Sequence, residues 1–303
     1  MLFPLSALLL LAAVASFISP HFLTSMNLKN ILSQVSIIAI LAAGEACVIL
    51  TGGIDLSVGA VLAIGGSVTA VLMKWAGLPI LLAIAGGLGV GLLAGFISGT
   101  LVAWVRIPSF IATLAMMAVA RGGTLVLTGG KPVSGFTRAF RGIAGYAGPL
   151  PLLFIITLGI YTLWQLVLSH TRLGRYIYAV GGNELSTRFA GVDVRKVKLA
   201  VFLFSGLCAA LGGVMLDARL NAAYPTAGEG YELDAIAAAV LGGVSFSGGI
   251  GSLVGTFMGA LVMTVLGNIL NLLKVAAFYQ YIAKGLILAV AAISLSRGVK
   301  FAK

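Results

Sequence analysis

The chain has 303 residues, 60% of them hydrophobic and only 9% charged, against roughly 25% charged in a soluble domain. That balance excludes a water-solvated globular fold. The net charge of +11 does not indicate nucleic acid either, because the basic residues form no stripe or face and sit between apolar segments.

A membrane-spanning helix needs ~20 predominantly apolar residues. Such stretches recur over 3–19, 31–51, 57–73, 79–105, 109–127, 150–169, 199–219, 232–247, 251–272 and 276–296. The pattern predicts an all-α integral membrane protein with about ten transmembrane helices. The first stretch lacks the basic residues that precede a signal-peptide core and reads as a retained helix. The eighth is short and Gly-flanked. It reads equally as a half-helix that does not cross, which leaves counts of eight or nine open. Cys47 and Cys208 lie inside apolar runs and imply neither a disulfide framework nor a metal site.

With ten spans both chain ends share a side. The ends and even-numbered connections carry ten Lys and Arg, the other connections seven. The positive-inside bias then predicts both termini in the cytoplasm. Gly87, Gly91, Gly95 and Gly99 recur every four residues on the fourth span, and Gly251, Gly255 and Gly259 do so on the ninth. These seams predict close helix packing rather than a site.

Two cassettes interrupt the apolar runs with the same plan. VILTGGIDLSVGAV, from Val48 to Val61, contains Asp55 and Ser57, and GGVSFSGG at 242–249 contains Ser245. Asp55 reads as an N-cap of the third span, as part of a translocation path, or as both, and Ser245 is its counterpart. Gly-interrupted segments in corresponding halves point to transport sites.

The longest polar connection is HTRLGRYIYAVGGNELSTRFAGVDVRKVK, from His170 to Lys198. A short helix is predicted inside it. Asn183 is its N-cap, Glu184 lies near the positive end of its dipole, and Gly191 supplies a left-handed stop. Glu184 with Arg188, and Leu185 with Phe189, are i,i+4 pairs. So short a helix does not hold alone in water. It docks on its own membrane domain or offers Leu185 and Phe189 to a cytoplasmic partner.

TRLGRYIYAVGGNELSTRFAGV resembles the ATPase-contacting loop of the permease subunits of bacterial sugar ABC importers. TGGIDLSVGA and PTAGEGYELDAIAAAVLGGVSFSGG (225–249) resemble two further motifs of that family. The likeness runs over nearly the whole chain and is strongest toward the ribose permease group. It implies a ten-helix permease of the vitamin-B12-importer type, forming one membrane domain over 1–303 with a cytoplasmic coupling loop at 170–198. It also implies a dimer of permease chains in the bacterial inner membrane, two cytoplasmic ATPase subunits and a periplasmic sugar-binding protein. Gly182, Asn183, Glu184, Leu185, Arg188, Phe189 and Gly191 would form the coupling helix. ATP and Mg would be bound by the ATPase subunit and no cofactor by this chain. Consistent with that, the sequence has no G-x-x-x-x-G-K-[ST] phosphate loop, GGKP at 129–132 being its nearest Gly-Lys match. The chain is therefore read as no enzyme by itself.

Ionisable groups inside the membrane cost at least ~2.5–3.5 kcal/mol and need a partner or a purpose. Arg121 lies ~18 Å along the fifth span. Glu45 lies inside the second, where the family usually has an apolar or hydroxyl residue. They are expected to pair with each other, or else Glu45 lines the pore. Lys284 is expected to snorkel to the headgroups. Asn268 and Asn271, one turn apart, are candidates for the translocation path or for hydrogen bonding between helices. Glu229, Glu232 and Asp234 form an acidic outward patch, and Arg138 and Arg141 a basic one, as candidates for docking the binding protein. The competing reading is a proton-coupled secondary sugar transporter with Glu45, Asp55 and Arg121 as its relay. A channel or scaffold would need a regular ring of polar residues, which is not readable.

Overall fold

The computed structural model describes residues 2–276, 278–287 and 289. The chain is built of helices: α1 (Leu2–Ile18), α2 (Ser25–Leu50), α3 (Val58–Lys74), α4 (Ile80–Thr100), α5 (Ser109–Thr128), α6 (Arg138–Arg141), α7 (Leu152–His170), α8 (Arg172–Gly182), α9 (Glu184–Phe189), α10 (Val194–Leu220), α11 (Tyr231–Leu241) and α12 (Leu253–Leu272). Residues 278–287 are also helical. Among the described residues six helices are long and apolar enough to cross a membrane: α2, α4 with its extension to Val105, α5, α7, α10 and α12. Of the tenth predicted span, residues 277, 288 and 290–296 lie outside the described residues, as do Arg297, Lys300 and Lys303.

α2 and α10 form the centre. Their apolar windows are 83% and 72% buried, whereas those of α4, α5 and α7 are only 22–28% buried and turn apolar faces outward, as lipid requires. α10 packs against α4, α3 and α2, and α12 against α11, α2 and α1. The glycine seam of α4 makes the first of these contacts possible. Gly91 faces the carbonyl of Gly206 on α10, and Gly206 faces that of Gly91, so a side chain at either would collide with backbone. On α12, Gly255 and Gly259 meet Gly242 and Ala238 at the end of α11. Gly251 precedes α12 and packs on Val244 instead, so that seam is shorter than the sequence spacing suggests.

The eighth predicted span, 232–247, is helical only over Tyr231–Leu241, a half-helix, and the chain before it is unwound. α10 ends at Leu220, Asn221 after it takes φ 54°, and Ala222–Ala223 pairs antiparallel with Val133–Ser134. Residues 224–230 then run back into the bundle without helix, bringing Gly228 against the backbone of Gly59 on α3. α11 follows with 11 residues, ~16 Å of helix and about half of a ~30 Å hydrocarbon core. The polar connection after α7 is more ordered than its composition suggests. It holds α8 as well as α9, and α10 begins at Val194, five residues before the predicted span. α8 buries Gly174, Ile177 and Val180 with Leu173 and Tyr178 packed beside them, and at 11 residues with Arg172 and Arg175 it is too short and too charged to stand out from the polar connection.

Candidate functional site

On the face that carries α8 and α9, Asn183 closes one helix and opens the next. Its backbone N–H donates to the Ala179 carbonyl, and its Oδ1 accepts from the Ser186 N–H at 2.8 Å. α9 is held to the bundle from one side only. Lys198 of α10 donates to Glu184 Oε2 at 2.7 Å, Arg188 lies 3.6 Å from Glu184 Oε1, and Thr187 is buried. Gly191 turns the chain back at φ +85°. On the other side Leu185 and Phe189 are 61% and 81% exposed. The helix thus docks through its polar flank and leaves its apolar pair uncovered.

The end of α8 is wedged against both cassettes. Gly181 packs on the Leu50 carbonyl and on Gly248–Gly249, with no room for a side chain. The N–H of Gly249 donates to that same carbonyl at 2.9 Å, and Gly248 touches the backbone of Gly52. Gly182 beside it has open space around it. Two segments nearly 200 residues apart in sequence therefore meet backbone to backbone under one short helix. Next to this junction a cavity of about 350 Å³ is lined by Gly52, Gly53, Arg106, Ser109, Glu184, Arg188, Arg195 and Lys198.

The first cassette folds back into the bundle rather than lying at its mouth. Asp55 N–H donates to Glu45 Oε1 at 3.2 Å, and Glu45 sits five residues, ~7.5 Å, before the end of α2. α5 satisfies the re-entering backbone: Ser109 Oγ accepts from Ile54 N–H at 3.0 Å and Thr113 Oγ1 from Leu56 N–H at 3.1 Å. Asp55 is not the N-cap of α3. Its Oδ1 accepts from the N–H and hydroxyl of Ser57, making a local turn, and its Oδ2 accepts from Ser205 of α10 at 2.7 Å. The N-cap is Ser57, whose side chain makes no capping bond. Ser245 likewise starts a turn, accepting from Ser247 N–H at 3.3 Å, and α12 is capped by Ser252. The reason is shared: both carry the turn that precedes a helix, so the cap falls on a later serine.

Glu45 and Arg121 do not pair. Arg121 donates from Nη1 to the carbonyls of Pro225 and Ala227 at 3.1 and 2.8 Å, clamping the unwound segment before α11. Glu45 is fully buried, its Oε2 has no hydrogen-bond partner among the described residues, and neither it nor Asp55 has a basic partner there. Packing decides this: it sets Arg121 beside the unwound segment before α11 and sets Glu45 beside the backbone of Asp55. Asp234 is not on an outward patch. It is 1% exposed, and Lys284 donates to its Oδ2 at 2.7 Å, so Lys284 does not snorkel outward. Glu232 is half-buried and accepts from Gly230 N–H at 3.2 Å, leaving Glu229 exposed. Arg138 and Arg141 are exposed on α6. Asn268 is buried in a reciprocal amide pair with Asn27 of α2, at 2.9 and 2.8 Å, while Asn271 is exposed and accepts from Gln280 at 2.9 Å. Ser205, Asp217 and the carbonyls of 225–227 escaped sequence reasoning. Asp217 alone carried a signal, as a carboxylate within an apolar span; it is 3% exposed with Oδ2 unpartnered among the described residues.

Broken backbone, a helix offered outward and a tight glycine junction are features of a transport protein, and comparison with known families agrees. A family profile described as the branched-chain amino acid transport system / permease component matches residues 27–292. The chain belongs to this permease family. Among curated proteins this permease is 48% identical over 295 residues to the ribose import permease protein RbsC of Escherichia coli strain K12, covering 95% of this chain and 91% of the relative. It is 44% identical to RbsC of Bacillus subtilis strain 168, with 95% and 90% covered. It is 42% identical to the D-allose transport system permease protein AlsC of E. coli K12, with 96% and 89% covered. No solved structure gives a significant match to this permease.

Proposed function

We propose that this chain is the membrane subunit of an ATP-binding-cassette importer that carries ribose or a related monosaccharide into the cytoplasm. The observation that carries the reading is 48% identity to a ribose import permease along 95% of the chain. In this reading residues 1–303 form one permease domain of the ten-helix, vitamin-B12-importer type in the bacterial inner membrane, with both termini cytoplasmic. Two copies pair, and ATP with Mg binds only to the partner ATPase.

α9 is then the coupling helix on the cytoplasmic face. ATPase closure pushes on Leu185 and Phe189. The movement passes through α8 to the glycine junction, and from there to the ends of α2 and α11. The exposure of that apolar pair favours an importer over a proton-coupled carrier, which has no use for a helix docked on one side only.

Uptake of labelled ribose in cells carrying the permease with its ATPase and binding protein tests the proposal. Uptake lost on ATP depletion, and retained when the proton gradient is collapsed at constant ATP, is the expected result. Loss with the gradient alone would transfer the chain to the carrier reading.

A further inference from the structure

The cavity of about 350 Å³ beside the glycine junction gathers more positive charge than its surroundings use. Arg106 lines it from the turn between α4 and α5, Arg188 from α9, and Arg195 and Lys198 from the first two turns of α10. Against these four cations stands one carboxylate, Glu184. Both of its oxygens are engaged, Oε2 by Lys198 at 2.7 Å and Oε1 by Arg188 at 3.6 Å. The side chains of Arg106 and Arg195 have no hydrogen bond or ion pair among the described residues.

The positive-inside bias accounts for basic residues on this face but not for their convergence on one concavity. Like charges brought together repel, and a cleft lined by one sign focuses its field on an incoming counter-ion. Arg106 also takes φ 65°, a left-handed conformation that glycine adopts freely and a bulky side chain rarely does. A guanidinium held there at a steric cost points to a use for it. Ser109 supplies a neutral donor. Its Oγ accepts from Ile54 N–H at 3.0 Å, and its own O–H has no acceptor among the described residues. The volume lies within the ~300–1,000 Å³ of ligand pockets, enough for a phosphate and the group it is esterified to. Val102, Ile107 and Phe202 form the apolar part of the wall, and Trp104, Val105 and Phe110 are exposed along the neighbouring helix ends.

We infer that this cavity is a binding site for a phosphate group, held by the Arg106 and Arg195 guanidiniums and the Ser109 hydroxyl, with Arg188 and Lys198 completing the charge. The planar fork of arginine matches phosphate oxygens in pairs. Two sources carry that group to this face. One is the headgroup of an anionic phospholipid, its acyl chains lying on Trp104, Val105 and Phe110, since basic pockets between membrane helices take such headgroups. The other is a soluble phosphate ester. An acidic segment of a protein partner fits less well, because the cations line a recess on the docked flank of α9, whose outward face is the apolar pair Leu185 and Phe189. Once bound, the phosphate ties the α4–α5 turn to α9 and α10. Its binding depends on the charges of this chain and not on which sugar moves, so it is read on the permease alone.

The test is the thermal unfolding midpoint of the full-length permease, stripped of lipid in a neutral detergent, at constant ionic strength in chloride. Short-chain phosphatidylglycerol is titrated in one arm and glycerol phosphate in the other. Phosphatidylcholine of equal chain length, whose choline offsets the phosphate, controls for acyl contact. The expected result is a saturable rise in the midpoint with at least one of the two ligands. Half-saturation should need about tenfold more ligand in Arg106→Gln and in Arg195→Gln, the effect of one lost charge-assisted hydrogen bond. It should stay as in wild type for Lys196→Gln, whose charge lies outside the cavity. Arg106→Gly removes the guanidinium while relieving the left-handed backbone, and replaces Arg106→Gln should that variant fold poorly. A rise with phosphatidylglycerol alone identifies the lipid as the source, and a rise with glycerol phosphate alone the soluble ester. No rise with either, a rise matched by phosphatidylcholine, or one undiminished in the arginine variants would overturn the site and leave the importer reading as it stands. No rise in wild type, together with loss of ATPase co-purification in the arginine variants, would make the cluster a protein contact and overturn it as well.

Discussion

Ser205 on α10 donates its hydroxyl to Asp55 Oδ2 at 2.7 Å, joining residues 150 positions apart and pinning the re-entrant cassette to the central helix. Hydrogen bonds to charged groups contribute ~1.5–3 kcal/mol, and a bare carboxylate oxygen in the bundle costs more than the same atom in water. Ser205→Ala is therefore expected to lower stability in detergent by ~1–3 kcal/mol, read as the thermal unfolding midpoint. Glu45→Gln keeps the acceptor for Asp55 N–H and is expected to change the midpoint little. Equal losses in both variants would contradict this geometry.

Phe189 is 81% exposed at the end of α9. Surface substitutions away from special features change stability by about ±0.5 kcal/mol. Phe189→Asp should leave the purified permease as stable as wild type while abolishing co-purification of the ATPase subunit and transport. Retained co-purification would show that α9 is not the docking element.

Glu184 meets Lys198 and Arg188 across partly exposed side chains, and such pairs contribute ~0–1 kcal/mol. Glu184→Ala should thus fold normally but lose stiffness where force enters. ATP hydrolysis continuing with reduced sugar uptake is the expected signature, measured as the ratio of sugar moved to ATP consumed.

Arg121 holds two carbonyls of the unwound segment. Arg121→Gln shortens the reach and removes the charge, so residues 224–230 should exchange amide hydrogens faster while α2 and α10 remain protected. Hydrogen exchange by mass spectrometry resolves the two regions. Uptake should fall by about tenfold or more, because the half-helix start is no longer positioned.

Asn27 and Asn268 form a reciprocal amide pair. Interhelical hydrogen bonds in membranes average ~0.6 kcal/mol and reach ~1.7 in double-mutant cycles. A cycle on Asn27→Leu and Asn268→Leu should return a coupling energy in that range, with the double variant still transporting sugar. Loss of transport without loss of stability would instead place Asn268 on the path.

Local chemistry in the sequence determined the membrane class, most helix positions, the seam on α4, and α9 with its cap, charge pair and outward apolar pair. Each of these depends on residues within a turn or two of one another, or on the mean apolarity of a window, so they are visible without neighbours. Tertiary structure alone decided which buried charges meet. Arg121 finds carbonyls 104 and 106 positions away rather than Glu45, Lys284 turns inward to Asp234, and Ser205 becomes the partner of Asp55. The physical reason is the break before α11. An unwound segment inside the bundle exposes carbonyls that no local pattern announces, and in a medium without water those carbonyls and the buried carboxylates must be satisfied by whatever donors the packing brings to them.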